Sequence, residues 1–254
     1  MAASTDNKRA IIITGASRGI GAASARLLGM QGYAVVVNFV KNETAASVVV
    51  RDIVSSGGKA VAIRADVTQE SEILRLFETS DREFGALGGL VNNAAITGGF
   101  ARVQELCSKT VEDVFALNVT GAMLCAREAV RRMSTGSGGS GGSIVNISSI
   151  AARTGAAGEW VHYAASKGAI NSFTVGLARE VATQGIRVNA VAPGLIETDL
   201  HADNGAPDRL RRLQSSIPMG RPGTAGEVAE AVSWLLSPAA SYVTGSILEI
   251  GGGR

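Results

Sequence analysis

The stretch A-I-I-I-T-G-A-S-R-G-I-G, Ala10 to Gly21, runs three isoleucines into a glycine-rich turn and then into a helical pattern. Gly15, Gly19 and Gly21 let the backbone turn sharply, and a helix that opens directly after them aims its unpaired N–H groups and positive dipole end at an anion. Set between strand and helix, the turn, with Ser17, Arg18 and Ile20 in it, reads as a cradle in which backbone approaches a pyrophosphate.

Outward from this turn the same alternation repeats along the chain. Strands are expected near 10–14, 33–38, 59–64, 87–92, 143–148, 186–192 and 246–250, and helices over 19–31, 42–56, 69–84, 110–133, 161–183 and 225–236. Runs such as A-V-V-V at 34–37 are nearly continuous and apolar, as strands covered on both faces require. Short strands alternating with longer helices predict an α/β protein with a doubly wound parallel sheet, a single domain over residues 1–254. The run S-T-G-S-G-G-S-G-G-S at 134–143 resembles a linker in composition, but the alternation resumes unchanged beyond it, so it is read as a surface connection. The stretch near 194–224 lacks either period and is read as a functional loop, a lid in character.

Composition narrows the classes. Lys plus Arg number 24 and Asp plus Glu 22, for a net charge of +2, without the basic stripe of a nucleic-acid surface. The doublets Arg131–Arg132 and Arg211–Arg212 are read as solvated helix faces. Two cysteines, Cys107 and Cys125, with no C-x-x-C spacing and no histidine cluster, suggest neither a disulfide framework nor a metal site, and fit a reducing compartment. The start lacks a signal-peptide core, and no run approaches the roughly 18 apolar residues of a membrane span. The expectation is a soluble, cytoplasmic protein without nucleic-acid or membrane partners.

Two further features point to chemistry. In Y-A-A-S-K, Tyr163 and Lys167 stand four apart, on one face of a helix. An ammonium beside a phenol would pull the tyrosine pKa below its usual value of about 10 and make it a usable acid or base; the same spacing also arises as a plain surface pair on amphipathic helices. At the end of the second strand, V-V-V-N-F puts Asn38 where a ribose-binding carboxylate would stand in an NAD site. Arg18 and Lys41 are placed to receive a 2′-phosphate, so NADP(H) is expected over NAD(H), with Glu43 the residue best placed to oppose that choice.

Together with D-V at 66–67, N-N-A-A at 92–95, L-N-V at 117–119, I-V-N-I-S-S at 144–149 and P-G-L-I-E-T at 193–198, these motifs make the whole chain resemble the short-chain dehydrogenase/reductases, in their compact Rossmann-fold branch. The resemblance implies a catalytic group of Asn118, Ser149, Tyr163 and Lys167. Ser149 would hydrogen-bond the substrate oxygen and Tyr163 would exchange a proton with it. Lys167 would lower the tyrosine pKa and hold the nicotinamide ribose, and Asn118 would anchor a water. Asp66 and Val67 would contact adenine, Asn92 and Ala94 the ribose and diphosphate path, and Pro193, Gly194, Ile196 and Thr198 the nicotinamide end. The second serine of I-S-S is taken as the reactive one by that pattern, although its spacing of fourteen to Tyr163 is one longer than in many members.

Substrate contacts are expected from Ser149, Tyr163, Trp160, Leu195 and His201, with Leu200 and Met219 nearby. Trp160 is open to both a packing and a stacking role, while His162 and His201 read first as surface or loop histidines. The implied substrate is a small carbonyl or alcohol compound, ketone, sugar or polyol in type. Two alternatives remain: a 3-oxoacyl-carrier-protein reductase, and a catalytically silent NADP-binding regulator or scaffold. By the same resemblance the assembly is a homotetramer.

Overall fold

A computed structural model of the chain describes residues 8–198 and 208–254. Nine strands are present among the described residues: β1 (Lys8–Ile13), β2 (Tyr33–Phe39), β3 (Lys59–Arg64), β4 (Leu87–Asn92), β5 (Gly142–Ile147), β6 (Ile186–Pro193), β7 (Ile196–Glu197), β8 (Gly223–Thr224) and β9 (Ile247–Ile250). Seven of them form one sheet in the order β3-β2-β1-β4-β5-β6-β9, with every pairing parallel. This is the doubly wound, Rossmann-like order, in which the chain reverses direction across the sheet between β1 and β4.

Strand alternation divides the core into two layers. Ile11 and Ile13 of β1 face a cluster with Leu28, Val35, Val37 and Val232, while Ala10 and Ile12 face another with Val36, Phe77, Leu90 and Ile144. Helices α1 (Gly19–Met30), α2 (Glu43–Ser55) and Ala225–Leu236 cover the first face; α3 (Glu70–Phe84), α5 (Ala122–Met133) and α7 (Val161–Val181) cover the second. A strand covered on both sides has no face to leave polar, which is why Val35, Val36 and Val37 are all fully buried. Helix ends are fixed locally: the Asn42 side chain accepts from Ala45 N at 2.9 Å, and Thr224 and Glu227 form a reciprocal capping box.

The expected helix over 110–133 is instead three pieces. Helix α4 (Ser108–Phe115) passes through a π-helical turn, Ala116–Gly121, into α5. A Cβ on Gly121 would lie 2.5 Å from the carbonyl oxygen of Val67, so this turn presses backbone against backbone and its extra residue shifts Asn118 onto the loop after β4. The Gly/Ser run is an ordered connection: Gly141 N donates to Met133 O at 2.7 Å and Ser134 Oγ accepts from Gly136 N. The described part of 194–224 carries the two-stranded sheet of β7 and β8 and the short helix Arg209–Leu213, which the sequence pattern does not show. Leu200 and His201 lie outside the described residues. Short helix α6 (Ala151–Thr154) precedes α7. Among the described residues no helix is long and apolar enough to cross a membrane.

Candidate active site

At the carboxyl edge of β1, β4, β5 and β6 a cleft of about 1330 Å³ opens, larger than an ordinary small-ligand pocket. Its floor at one end is the glycine turn. Gly15 and Gly19 have φ of +61° and +55°, values that favour glycine, and Arg18 in extended conformation caps α1. A Cβ on Gly21 would lie 2.6 Å from Asn93 Nδ2 and 2.8 Å from Gly15 O. Gly21 therefore does not line the cleft; its absent side chain lets α1 close on the turn. Gly15, Ser17, Arg18, Gly19, Ile20, Asn38, Lys41, Asp66, Val67 and Ala94 do line it, as do Pro193, Gly194, Ile196 and Thr198, with the Thr198 side chain beside Gly19. The open backbone at the head of α1 and the volume of the cleft fit a dinucleotide, whose pyrophosphate Gly15 to Ile20 would hold.

Two of the residues expected at the cofactor have side chains committed to the framework. Asn38 is 1 % exposed, and its Oδ1 accepts from Gly15 N at 3.1 Å while Nδ2 donates to Ala65 O at 2.9 Å. Its side chain is consumed in fixing the turn to β2 and β3 and is not offered to a ribose. Asn92 is buried away from the cleft: Nδ2 donates to Ala122 O and Asn146 Oδ1, both at 3.0 Å, and Asn146 Nδ2 continues to Thr174 Oγ1 at 2.9 Å. This buried chain of amides ties β4 and β5 to α7. The neighbour Asn93 lines the cleft, its Nδ2 donating to Thr14 O and Gly15 O, while Thr14 Oγ1 accepts from the backbone N–H groups of Asn93 and Ala94. Thr14 and Asn93 were legible only as members of their motifs, since their role is a meeting of β1 with β4.

At the other end, one turn of α7 carries Tyr163 and Lys167. Lys167 is 3 % exposed and its Nζ donates to Ile147 O at 2.6 Å and lies 5.6 Å from the centre of the Tyr163 ring. Ser149 follows β5; its hydroxyl accepts from Ala151 N at 3.1 Å and donates to Pro193 O at 3.5 Å, and it lines the same cleft as Tyr163. Ser148 is committed elsewhere, donating to Asn171 Oδ1 at 2.6 Å, which supports the choice of Ser149. The longer spacing from Ser149 to Tyr163 is absorbed in the bend before α7, where Ala156 takes a φ of +46° between Gly155 and Gly158. Asn118 does not line the cleft. Its Oδ1 accepts from Ile96 N, and its Nδ2 donates to Ile96 O and Ser166 Oγ, so its side chain clamps the loop after β4 to the turn of α7 that bears Lys167.

Burial shifts both titrating groups of the pair. It pushes the Tyr163 phenol up to about 12, with the Ser149 hydroxyl and the charge of Arg209 pulling the other way. It brings the Lys167 ammonium down to about 8. The expected depression of the tyrosine by the lysine is therefore not a property of the protein walls alone: each charged form is disfavoured in a dry site, and the amine is tied to a carbonyl. For Lys167 the unfolded chain holds a proton that the folded chain releases between pH 8 and 10.5, so folding stability rises with pH in that window. Urea unfolding of the wild type should gain about 2 kcal/mol relative to Lys167→Met between about pH 8 and pH 10. A constant difference across that range would refute the buried titration.

Trp160, the N-cap of α7, is 4 % exposed and both packs and lines the cleft: its ring lies tilted against Phe100 with centres 4.8 Å apart and meets Tyr163 edge-on at 6.1 Å. Leu195 lines the same wall, whereas Met219 lies outside the cleft and is exposed. His162, read as a surface or loop residue, is instead 4 % exposed, with neither ring nitrogen hydrogen-bonded, on the face of α7 turned towards Gly98. Arg209 and Glu159 also line the cleft and were missed, since neither stands in a recognisable motif.

A parallel sheet whose carboxyl edge joins a glycine cradle to a Ser and Tyr backed by a buried Lys defines a nicotinamide-dependent oxidoreductase, acting between CH–OH and C=O. A family model described as enoyl-(acyl carrier protein) reductase matches residues 15–254. An uncharacterized oxidoreductase of Escherichia coli, YgfF, is 51 % identical over 96 % of this chain and 98 % of its own. A 3-oxoacyl-[acyl-carrier-protein] reductase of Synechocystis is 39 % identical, covering 95 % of each chain. A solved variant of a Serratia marcescens short-chain dehydrogenase/reductase superposes with a TM-score of 0.89 at 32 % identity, over 96 % of this chain and 97 % of that one. The chain belongs to the short-chain dehydrogenase/reductase family.

Proposed function

We propose that the protein is an NADP(H)-dependent enzyme that interconverts a small ketone and its secondary alcohol, with Tyr163 as the proton donor in reduction and the base in oxidation. The observation that carries this reading is the convergence of Ser149, Tyr163 and Lys167 on one cleft with the glycine turn at its other end. The bound dinucleotide supplies or accepts the hydride. Ser149 holds the substrate oxygen against the phenol, and the walls exclude water so that the oxygen's developing charge meets fixed donors. Lys167 keeps a cation behind the tyrosine ring, and Asn118 sets the position of that turn of α7.

The preference for the 2′-phosphate rests on Arg18 and Lys41, which line the adenosine end, while Glu43 does not. Asp66, which lines the cleft, already accepts from Thr68 N and Thr68 Oγ1. Binding titrations should give NADPH a lower dissociation constant than NADH; equal constants would overturn the preference.

A carrier-protein substrate is the second reading, favoured by the Synechocystis relative's name. Such a partner needs basic docking residues, and the Arg131–Arg132 doublet is committed internally: both guanidiniums, with Arg127, surround the buried carboxylate of Glu128, and Arg132 also bonds Asp81. We therefore favour a free small substrate. The silent-scaffold reading is disfavoured by an intact Asn, Ser, Tyr and Lys set; redox turnover on a panel of carbonyls and alcohols with NADPH and NADP separates all three. We further propose a cytoplasmic homotetramer, supported by the unpaired edge of strand β9 and exposed Trp234 and Tyr242, and refuted by a monomeric mass in light scattering.

A further inference from the structure

Arg209 opens the short helix Arg209–Leu213 and is only 7 % exposed, although it lines a reaction cleft. Its Nε and Nη2 donate to Glu159 Oε2 at 3.3 and 2.6 Å, and its guanidinium carbon lies 4.3 Å from the centre of the Trp160 ring. Trp160 touches Tyr163 edge-on at 6.1 Å, so the guanidinium can be no farther from the phenol ring than those two spans laid end to end. Nη1 donates to no acceptor among the described residues. The ion pair does not cancel the local charge, because Arg212 Nη2 lies 3.7 Å from the other oxygen of Glu159, so two guanidiniums share one carboxylate. Asp113, which also lines the cleft, is paired with Lys109.

We propose that Arg209 is a substrate-recognition residue for a carboxylate, so that the enzyme's substrate is a compact oxo or hydroxy acid, its carbonyl carbon facing Tyr163 and its carboxylate held by Nη1 of Arg209 beyond the Trp160 indole. A planar guanidinium already stacked and ion-paired keeps its donors in place before the ligand arrives, so little further side-chain entropy is lost on binding. A neutral ligand end would meet that partly desolvated cation without satisfying it. The same charge reaches the phenol and offsets part of its burial shift. In reduction the carbonyl carbon gains the hydride of the reduced nicotinamide, its oxygen gains the Tyr163 proton, and the carboxylate is unchanged; the phenolate regains its proton from solvent.

The assignment rests on the reading of Tyr163 above, and the test keeps the two apart. The purified full chain is assayed with NADPH and NADH on linear and cyclic oxo acids, each paired with its own carboxamide and joined by neutral ketones and a carrier-bound 3-oxoacyl substrate. The acids should exceed their amides in kcat/KM by roughly 10- to 100-fold, chiefly through KM. Arg209→Met should bring that ratio to about one and Arg209→Lys should restore part of it, since the ammonium keeps the charge without the planar fork. The ratio within one preparation is insensitive to the fraction folded. An acid-to-amide ratio near one in the wild type overturns the assignment, as does a preference for the carrier-bound substrate or a ratio that survives Arg209→Met. Turnover of none of the panel refutes the reductase reading itself.

Discussion

Tyr163→Phe is expected to lower ketone reduction by about 10²- to 10⁴-fold or more, the usual worth of a positioned general acid, with dinucleotide affinity nearly unchanged. The substitution removes one hydroxyl and keeps the ring that Trp160 meets edge-on and that lies beneath the Lys167 amine. The cradle, at the far end of the cleft, is untouched. Ser149 keeps the backbone N–H of Ala151 and the carbonyl of Pro193, so the local frame stays in place. Two neighbouring donors are committed: Lys167 is tied to Ile147 O, and Ser148 is spent on Asn171. Stopped-flow reduction with NADPH, alongside a fluorescence titration of the same preparation, checks both halves. Substantial residual turnover would sink the assignment of Tyr163.

The second large effect is expected at Gly21→Val. Its added carbons enter a space bounded at 2.6 Å by Asn93 Nδ2, at 2.8 Å by Gly15 O and at 2.9 Å by Ala16 Cα. Two of these walls are backbone, and the third is an amide pinned to Thr14 O and Gly15 O at 2.8 and 3.0 Å. None is the free end of a flexible chain, so the head of α1 has to move away from the turn. Overpacking of this kind costs about 1–3 kcal/mol, which in a chain of this size lowers Tm by roughly 2–4 °C per kcal/mol. The larger consequence is functional: the N–H groups at the start of α1 no longer converge, and NADPH affinity should collapse while the fold survives. An unchanged dissociation constant together with an unchanged Tm would contradict the close packing described.

Much of the architecture was legible because it is local. All seven strands of the main sheet were expected within a residue or two of their places, and five of the six helices matched as single elements, because buried strands and amphipathic helices write their periods directly into apolar spacing. The sixth, over 110–133, was legible as helical but not as broken. Its π turn answers a contact between Gly121 and Val67, more than fifty residues away, and no local period records that. The two strands of the small sheet were missed because each has only two residues, Ile196–Glu197 and Gly223–Thr224, too few to show alternation.

The site divides in the same way. Sequence alone determined the glycine turn, the Tyr163 and Lys167 pair on one helical face and the order of motifs that makes this an oxidoreductase, since each depends on residues a few positions apart. Only the tertiary structure decided which asparagines serve the cleft and which the frame. Asn38 and Asn92 turned inward because buried amides take the nearest backbone groups, and Asn118 became a clamp between two segments. The tertiary structure also decided that the pair is dry: burial moves the phenol up and the ammonium down, whereas spacing alone suggested the opposite for the tyrosine. It brought Arg209 and Glu159, fifty residues apart, to the Trp160 ring beside Tyr163. Contacts of that kind are set by where the sheet places its carboxyl edge, and a linear pattern carries no record of them.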